Sequence, residues 1–172
     1  SRSKTPSTLT SYAGLLSKSG YPSRAVKAYE DREADWVKKD KALLTAYRQG
    51  RDRSVASCGA CHQADGKGLA NMAPTLVKSD WVTGKASRLM GVAIHGLMGP
   101  IKVNGKPVEG MPQVMPPHGF MKDEQLASIL TYVRNAWGNQ GSGITSEDIV
   151  KYRKSEIHRV LPWTEEEFEK GQ

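Results

Sequence analysis

Apolar positions along the chain fall into stretches of helical spacing, separated by breaks rich in glycine and proline. From Ser23 onward, Val26, Tyr29, Trp36, Leu43 and Tyr47 recur at three-, four- and seven-residue steps, with Val37 and Leu44 alongside. Lys and Asp/Glu fill the intervals, which predicts an amphipathic helix or helix pair over 23–49. Leu89, Val92 and Ala93 share one side of a short helix predicted over Lys85–His95. Ile101, Val103 and Val108 alternate about Asn104-Gly105, a β-hairpin signal, and Pro107 confines one strand to an edge. Leu126, Ile129, Leu130, Val133 and Trp137 predict the buried stripe of a longer helix capped by Asp123. Thr145 with Asp148, and Thr164 with Glu167, mark the starts of two further helical segments, the second opened by Pro162-Trp163. Residues 1–22 are Ser-rich, with Pro6, Gly14, Gly20 and Pro22, and read as a linker or mobile arm.

One pentapeptide, Cys58-Gly59-Ala60-Cys61-His62, carries the chemistry. Two cysteines three positions apart, followed directly by histidine, form the attachment sequence of a c-type haem. Each thiol adds across one vinyl group of the porphyrin, so both sulfurs must reach the same side of the ring. A separation of three on a turn leaving a helix allows that, and His62 then lies under the iron as an axial nitrogen donor. Cys-x-x-Cys also occurs in redox dithiols and zinc sites. A dithiol needs a βαβ setting, and a zinc site needs more cysteines or a spaced His pair. Cys58 and Cys61 are the chain's only cysteines, and His95, His118 and His158 are scattered.

From Gly50 to Trp137 the chain resembles a class I c-type cytochrome. It is most similar to the cytochrome modules attached to bacterial periplasmic dehydrogenases of the quinoprotein and sorbosone types. The resemblance rests on CGACHQADGKG, APTL, SDWVTG, HGLMGPIKVNG and MPPHGFMKDEQLASILTYVRNAWGNQ. It implies that Gly50 lets the C-terminal helix of the domain cross close to the first. An aromatic residue common four positions before the first cysteine is Ser54 here, with Tyr47 as a substitute ring. It implies further that the Pro74 carbonyl accepts a hydrogen bond from the imidazole N–H of His62. Met115, in a proline-stiffened loop before the last helix of the domain, stands where such cytochromes carry the second axial ligand. Met111, His118 and an open site are the alternatives. Met90, Met98 and Met121 read as packing residues, and His95 as a contact to a propionate or to backbone.

Charge is distributed unevenly. Residues 1–57 hold 12 Lys/Arg against 6 Asp/Glu, while residues 141–172 hold 5 against 7, within a net charge of +7. No nucleic-acid motif accompanies the basic excess, so an acidic protein partner is expected. No run of about 18 apolar residues is present to span a bilayer. Ser1 onward reads as a mature or excised fragment of an extracytoplasmic, periplasmic protein.

The expected fold is therefore an all-α class I cytochrome c core with a small β-hairpin insertion and helical extensions at both ends. The expected division is an arm over 1–22, a helical extension over 23–49, a cytochrome domain over 50–140 and a helical tail over 141–172. One covalent haem c is expected on Cys58, Cys61, His62, Pro74 and Met115, with His62 and Met115 on iron. The function expected is one-electron transfer from a periplasmic dehydrogenase, separate or fused, to a respiratory carrier or oxidase, without catalysis of its own. A haem sensor or enzyme with a displaceable sixth ligand is the competing class.

Overall fold

Helix α1 runs from Lys41 to His62 without a break, so a division at Gly50 falls inside an element and not between two. The computed structural model describes residues 41–110 and 114–170; the predicted arm over 1–22 and the part of the predicted extension before Lys41 lie outside them. Helix α4 (Asp123–Val133) crosses α1, and the crossing is tight because Gly50 has no side chain. A Cβ there would stand 2.9 Å from the Tyr132 Cβ and closer still to the Ser128 carbonyl. Tyr47 fills the adjacent space with its ring centroid 5.1 Å from that of Tyr132. It is the aromatic contact that Ser54 does not make. Arg53 Nη1 donates to Ser128 Oγ at 2.7 Å and closes the same seam.

Between these helices lie α2 (Asp80–Thr83), capped by Ser79, and α3 (Ala86–His95). Leu89 to Ile94 are all buried, and Gly96, at φ 85°, ends the helix. The predicted hairpin is present as β2 (Lys102–Val103) and β3 (Lys106–Pro107), antiparallel about Asn104-Gly105. Asn104 holds φ 52°, and Asp80 Oδ1 accepts its backbone N–H at 2.8 Å.

Beside the expected helices and hairpin there is a second two-stranded sheet. Here β1 (Leu97–Met98) pairs antiparallel with β4 (Val114–Met115), in the register Leu97 opposite Met115 and Met98 opposite Val114. Two residues per strand are too few to leave an alternating pattern.

Helix α4 departs from its predicted form at both ends. It stops at Val133 with Arg134 as C-cap, and Trp137, at φ 57°, lies beyond it. Arg134 is buried, with its guanidinium donating to the carbonyls of Val82, Gly84 and Ser142. At the start, Lys122 occupies the cap position, and the N-terminal turn is closed by its backbone N–H donating to Gln125 Oε1 at 3.0 Å. Asp123 is instead the first helical residue, and its carboxylate accepts from Arg153 Nε at 2.7 Å.

The tail comprises α5 (Ser146–Ser155) and α6 (Glu165–Lys170). Thr145 and Asp148 form the predicted capping box, and Thr164 and Glu167 form the second. Helix α5 packs on α4 through fully buried Ile149. The chain then straps back over β1: Trp163 N–H donates to Gly96 O at 3.0 Å, and Met98 N–H donates to Trp163 O at 2.8 Å. Among the described residues no helix is long and apolar enough to cross a membrane.

Candidate haem site

The C-terminal turn of α1 delivers Cys58, Cys61 and His62 together. Cys58 is half-buried and Cys61 exposed. Gln63, at φ 60°, stops the helix with its N–H on Gly59 O, and a loop turns back under the histidine. Gly68 N–H donates to His62 O at 3.0 Å, and Leu69 and Ala73 exchange backbone hydrogen bonds. Gly68 has φ +78°, and a Cβ there would lie 2.2 Å from Ala73 O. Only glycine therefore closes this loop without displacing the backbone. Trp137, outside the helix, secures its near end by donating Nε1–H to Ala64 O at 3.0 Å.

This loop places the Pro74 carbonyl beside His62, which donates Nδ1–H to it at 3.1 Å. Since Nδ1 carries the proton, Nε2 is left as the lone-pair donor. Burial is the chief reason that the His62 pKa lies below the ordinary histidine value. The Pro74 carbonyl opposes that shift, and the charge of His118 adds to it. The neutral ring is the metal-binding form. Burial likewise pushes the Cys58 thiol up, the Ser54 hydroxyl lowers it, and Cys61 raises it.

His62 opens on a cavity walled by α1, α3, α4 and residues of the 97–103 and 115–121 segments. Leu76, Val82, Leu89, Val92, Leu126, Ile129, Leu130 and Val133 supply an almost wholly apolar lining. A second cleft, lined by Cys61, Met72, Pro100, Val114 and Pro116, shares His62, Pro74, Leu97, Ile101 and Met115 with it. Met115 thus borders both spaces, held by the β1–β4 pairing. Met111 lies outside the described residues. His118 also lines the cavity, anchored by its backbone N–H on Ala93 O at 2.9 Å.

Of the three methionines read as packing residues, Met90 is buried in α3, Met121 lines the cavity, and Met98 is exposed on β1. His95 does not line the cavity; its ring faces Tyr152 at 6.2 Å, under the tail. Trp81 was not expected at the site, yet it forms part of the wall and donates Nε1–H to Lys102 O at 2.6 Å. Its tryptophan in SDWVTG was the only signal, and nothing in its spacing points inward.

The residues fit a haem c. Two sulfurs and an imidazole come from one helix end, a thioether lies on the cavity lining, and apolar side chains supply walls for a flat macrocycle. Among the described residues, no group of three or more His, Cys, Asp or Glu is placed to hold a metal ion, so the zinc alternative has no donor set.

Comparison with known proteins agrees with this geometry. The family profile described as cytochrome c matches residues 47–137. The cytochrome c subunit of a quinone alcohol dehydrogenase from Gluconacetobacter polyoxogenes is 32% identical over 114 residues, 63% of this chain and 23% of that subunit. Its counterpart in Gluconobacter oxydans is 29% identical over 120 residues, 65% of this chain and 24% of the subunit. Cytochrome c-552 of Thermus thermophilus is 30% identical over 111 residues, covering 59% of this chain and 82% of that cytochrome. The chain thus spans about a quarter of the dehydrogenase subunits and most of cytochrome c-552. With the profile matching more than half its length, the chain belongs to the cytochrome c family and carries covalently bound haem c.

Proposed function

We propose that the chain is a one-electron carrier with His62 and Met115 as axial ligands, taking electrons from a periplasmic dehydrogenase and passing them to a respiratory carrier or oxidase. The observation that carries this reading is the His62–Pro74 hydrogen bond at 3.1 Å at the wall of a cavity that Met115 also lines. Bound haem c supplies a reversible one-electron couple at its iron. Pro74 fixes the imidazole plane and raises its donor strength. The β1–β4 pairing holds Met115, and the apolar lining keeps water from the iron. Cys58 and Cys61 keep the cofactor in place through both oxidation states.

A dehydrogenase as donor is supported by the Gluconacetobacter and Gluconobacter relatives, which are cytochrome c subunits of quinone alcohol dehydrogenases. The excess of Lys/Arg in residues 1–57 favours an acidic partner. A sensor with a displaceable sixth ligand requires Met115 to leave easily, which the strand pairing opposes.

The test mixes ferric holoprotein with a quinoprotein dehydrogenase and its substrate in a stopped-flow instrument. Rapid reduction that slows as salt rises, with sluggish carbon monoxide binding by the ferrous protein, is the expected result. Rapid carbon monoxide binding by the unmodified ferrous protein would overturn it in favour of the sensor.

A further inference from the structure

The tail carries a second surface with its own path to the cofactor. Between α5 and α6, three apolar side chains stand in solvent: Ile157 is 70% exposed, Val160 90% and Leu161 68%. Beside them α6 presents Glu165, Glu166, Glu167 and Glu169 against Lys170 alone. Arg159 ties the two parts together. Its guanidinium lies 3.3 Å from the Trp163 ring centroid and pairs with Glu167 at 2.7 Å and Glu156 at 3.8 Å. Over 156–170, five glutamates face two basic residues, the reverse of the basic excess over 1–57.

Aromatic rings in contact lead from this surface to the haem cavity. Trp81 walls the cavity. Phe168 meets it edge-on at 5.8 Å between centroids and stacks on Trp163 at 4.5 Å. The tail rests this close to α3 because residue 91 is a glycine: a Cβ there would lie 2.5 Å from Tyr152 Oη, 2.9 Å from Trp163 Nε1 and 3.1 Å from Phe168 Cζ. Electron tunnelling decays less through packed, bonded matter than across gaps, and three abutting rings leave none along this line.

We infer that the 156–170 face of the tail is a docking surface for a one-electron acceptor protein of basic surface, coupled to the haem through Trp81, Phe168 and Trp163. This rests on the carrier reading above and adds the chemistry of the second partner. Exposed apolar residues rimmed by one sign of charge suit a contact whose apolar centre holds and whose rim steers. The step balances simply: ferrous iron loses one electron, the oxidised acceptor gains it, and no bond or proton moves.

The test oxidises the ferrous holoprotein with two probes, a small basic cytochrome c and ferricyanide. Glu166→Lys with Glu169→Lys should slow transfer to the basic cytochrome by ~tenfold at low salt, while ferricyanide, an anion, is not slowed. Val160→Ser with Leu161→Ser should weaken binding of the basic cytochrome, and Phe168→Leu should lower the limiting rate at saturating acceptor. The visible spectrum and unfolding midpoint of each variant report whether the fold and haem site are kept. An unchanged rate with the basic cytochrome, or equal slowing with both probes, overturns the second surface and leaves the carrier reading intact. Failure of the unmodified protein to give electrons to either probe overturns the carrier reading itself.

Discussion

A Cβ on Gly50 would stand 1.8 Å from the carbonyl oxygen of Ser128, well inside contact distance. The oxygen belongs to backbone and backbone geometry fixes the Cβ, so no side-chain rotation can relieve the overlap. Helices α1 and α4 must part if residue 50 is anything larger. Gly50→Ala is expected to destabilise the holoprotein by about 1–3 kcal/mol, read as a drop of several degrees in the thermal midpoint. Gly59→Ala is the control: its Cβ meets nothing nearer than Val55 Cγ1 at 3.8 Å, and it should leave the midpoint nearly unchanged.

With His62 as the proposed axial ligand, its hydrogen bond to Pro74 is expected to set how strongly the imidazole donates to iron. Pro74→Ala keeps the carbonyl but frees the backbone that aims it, so the 3.1 Å contact should lengthen. A less basic ring stabilises the ferric state less, and the reduction potential should rise. The rise is expected to stay below about 59 mV, a tenfold change in a one-electron equilibrium. Potentiometry on the two holoproteins checks it; a lowered potential would contradict the assigned role.

The proposed ligation by Met115 has a spectroscopic signature. Ferric protein should show the weak far-red absorption of a methionine–iron bond. Met115→Ala should abolish it and admit carbon monoxide rapidly to the ferrous form, while Met111→Ala should leave both unchanged. The reverse pattern would move the ligand to Met111.

The capping box of α5 is predicted to respond to acid. Asp148 accepts from Thr145 N–H at 2.8 Å and from its hydroxyl at 2.9 Å. The backbone bond is the first cause holding its carboxyl below the ordinary value, with the hydroxyl second. A depressed folded-state pKa contributes stability above the unfolded pKa, about 3.9 for Asp, and that contribution is lost as pH falls through the lower folded value. Thr145→Ala should cost about 1 kcal/mol at neutral pH and flatten the pH dependence below pH ~4. Denaturant titrations at neutral and acid pH separate the two effects.

Much of the site was legible from spacing and residue type. CxxCH needs no tertiary knowledge, and Asn104-Gly105, Thr145 with Asp148, and Thr164 with Glu167 are local signals read over two to four residues. What escaped depends on distant groups. The β1–β4 pairing joins residues 97–98 to 114–115, and no pattern of four residues announces it. Trp137 continues the apolar stripe of α4 at helical spacing, yet its indole is drawn out to Ala64 O, a partner 73 residues away. Asp123 has the right chemistry for a cap but lies within 2.7 Å of Arg153 on another helix. Trp81 is a tryptophan in a short loop helix, and its place on the cavity wall depends on the hairpin carbonyl of Lys102.

The unbroken run of α1 makes it a lever. Its 22 residues extend for about 33 Å from Lys41 to the haem-bearing turn. One residue inserted between Gly50 and Cys58 would turn the haem-bearing end by about 100° relative to the α4 crossing and advance it by about 1.5 Å. The seven residues between them therefore set the register between the helix crossing and the haem attachment.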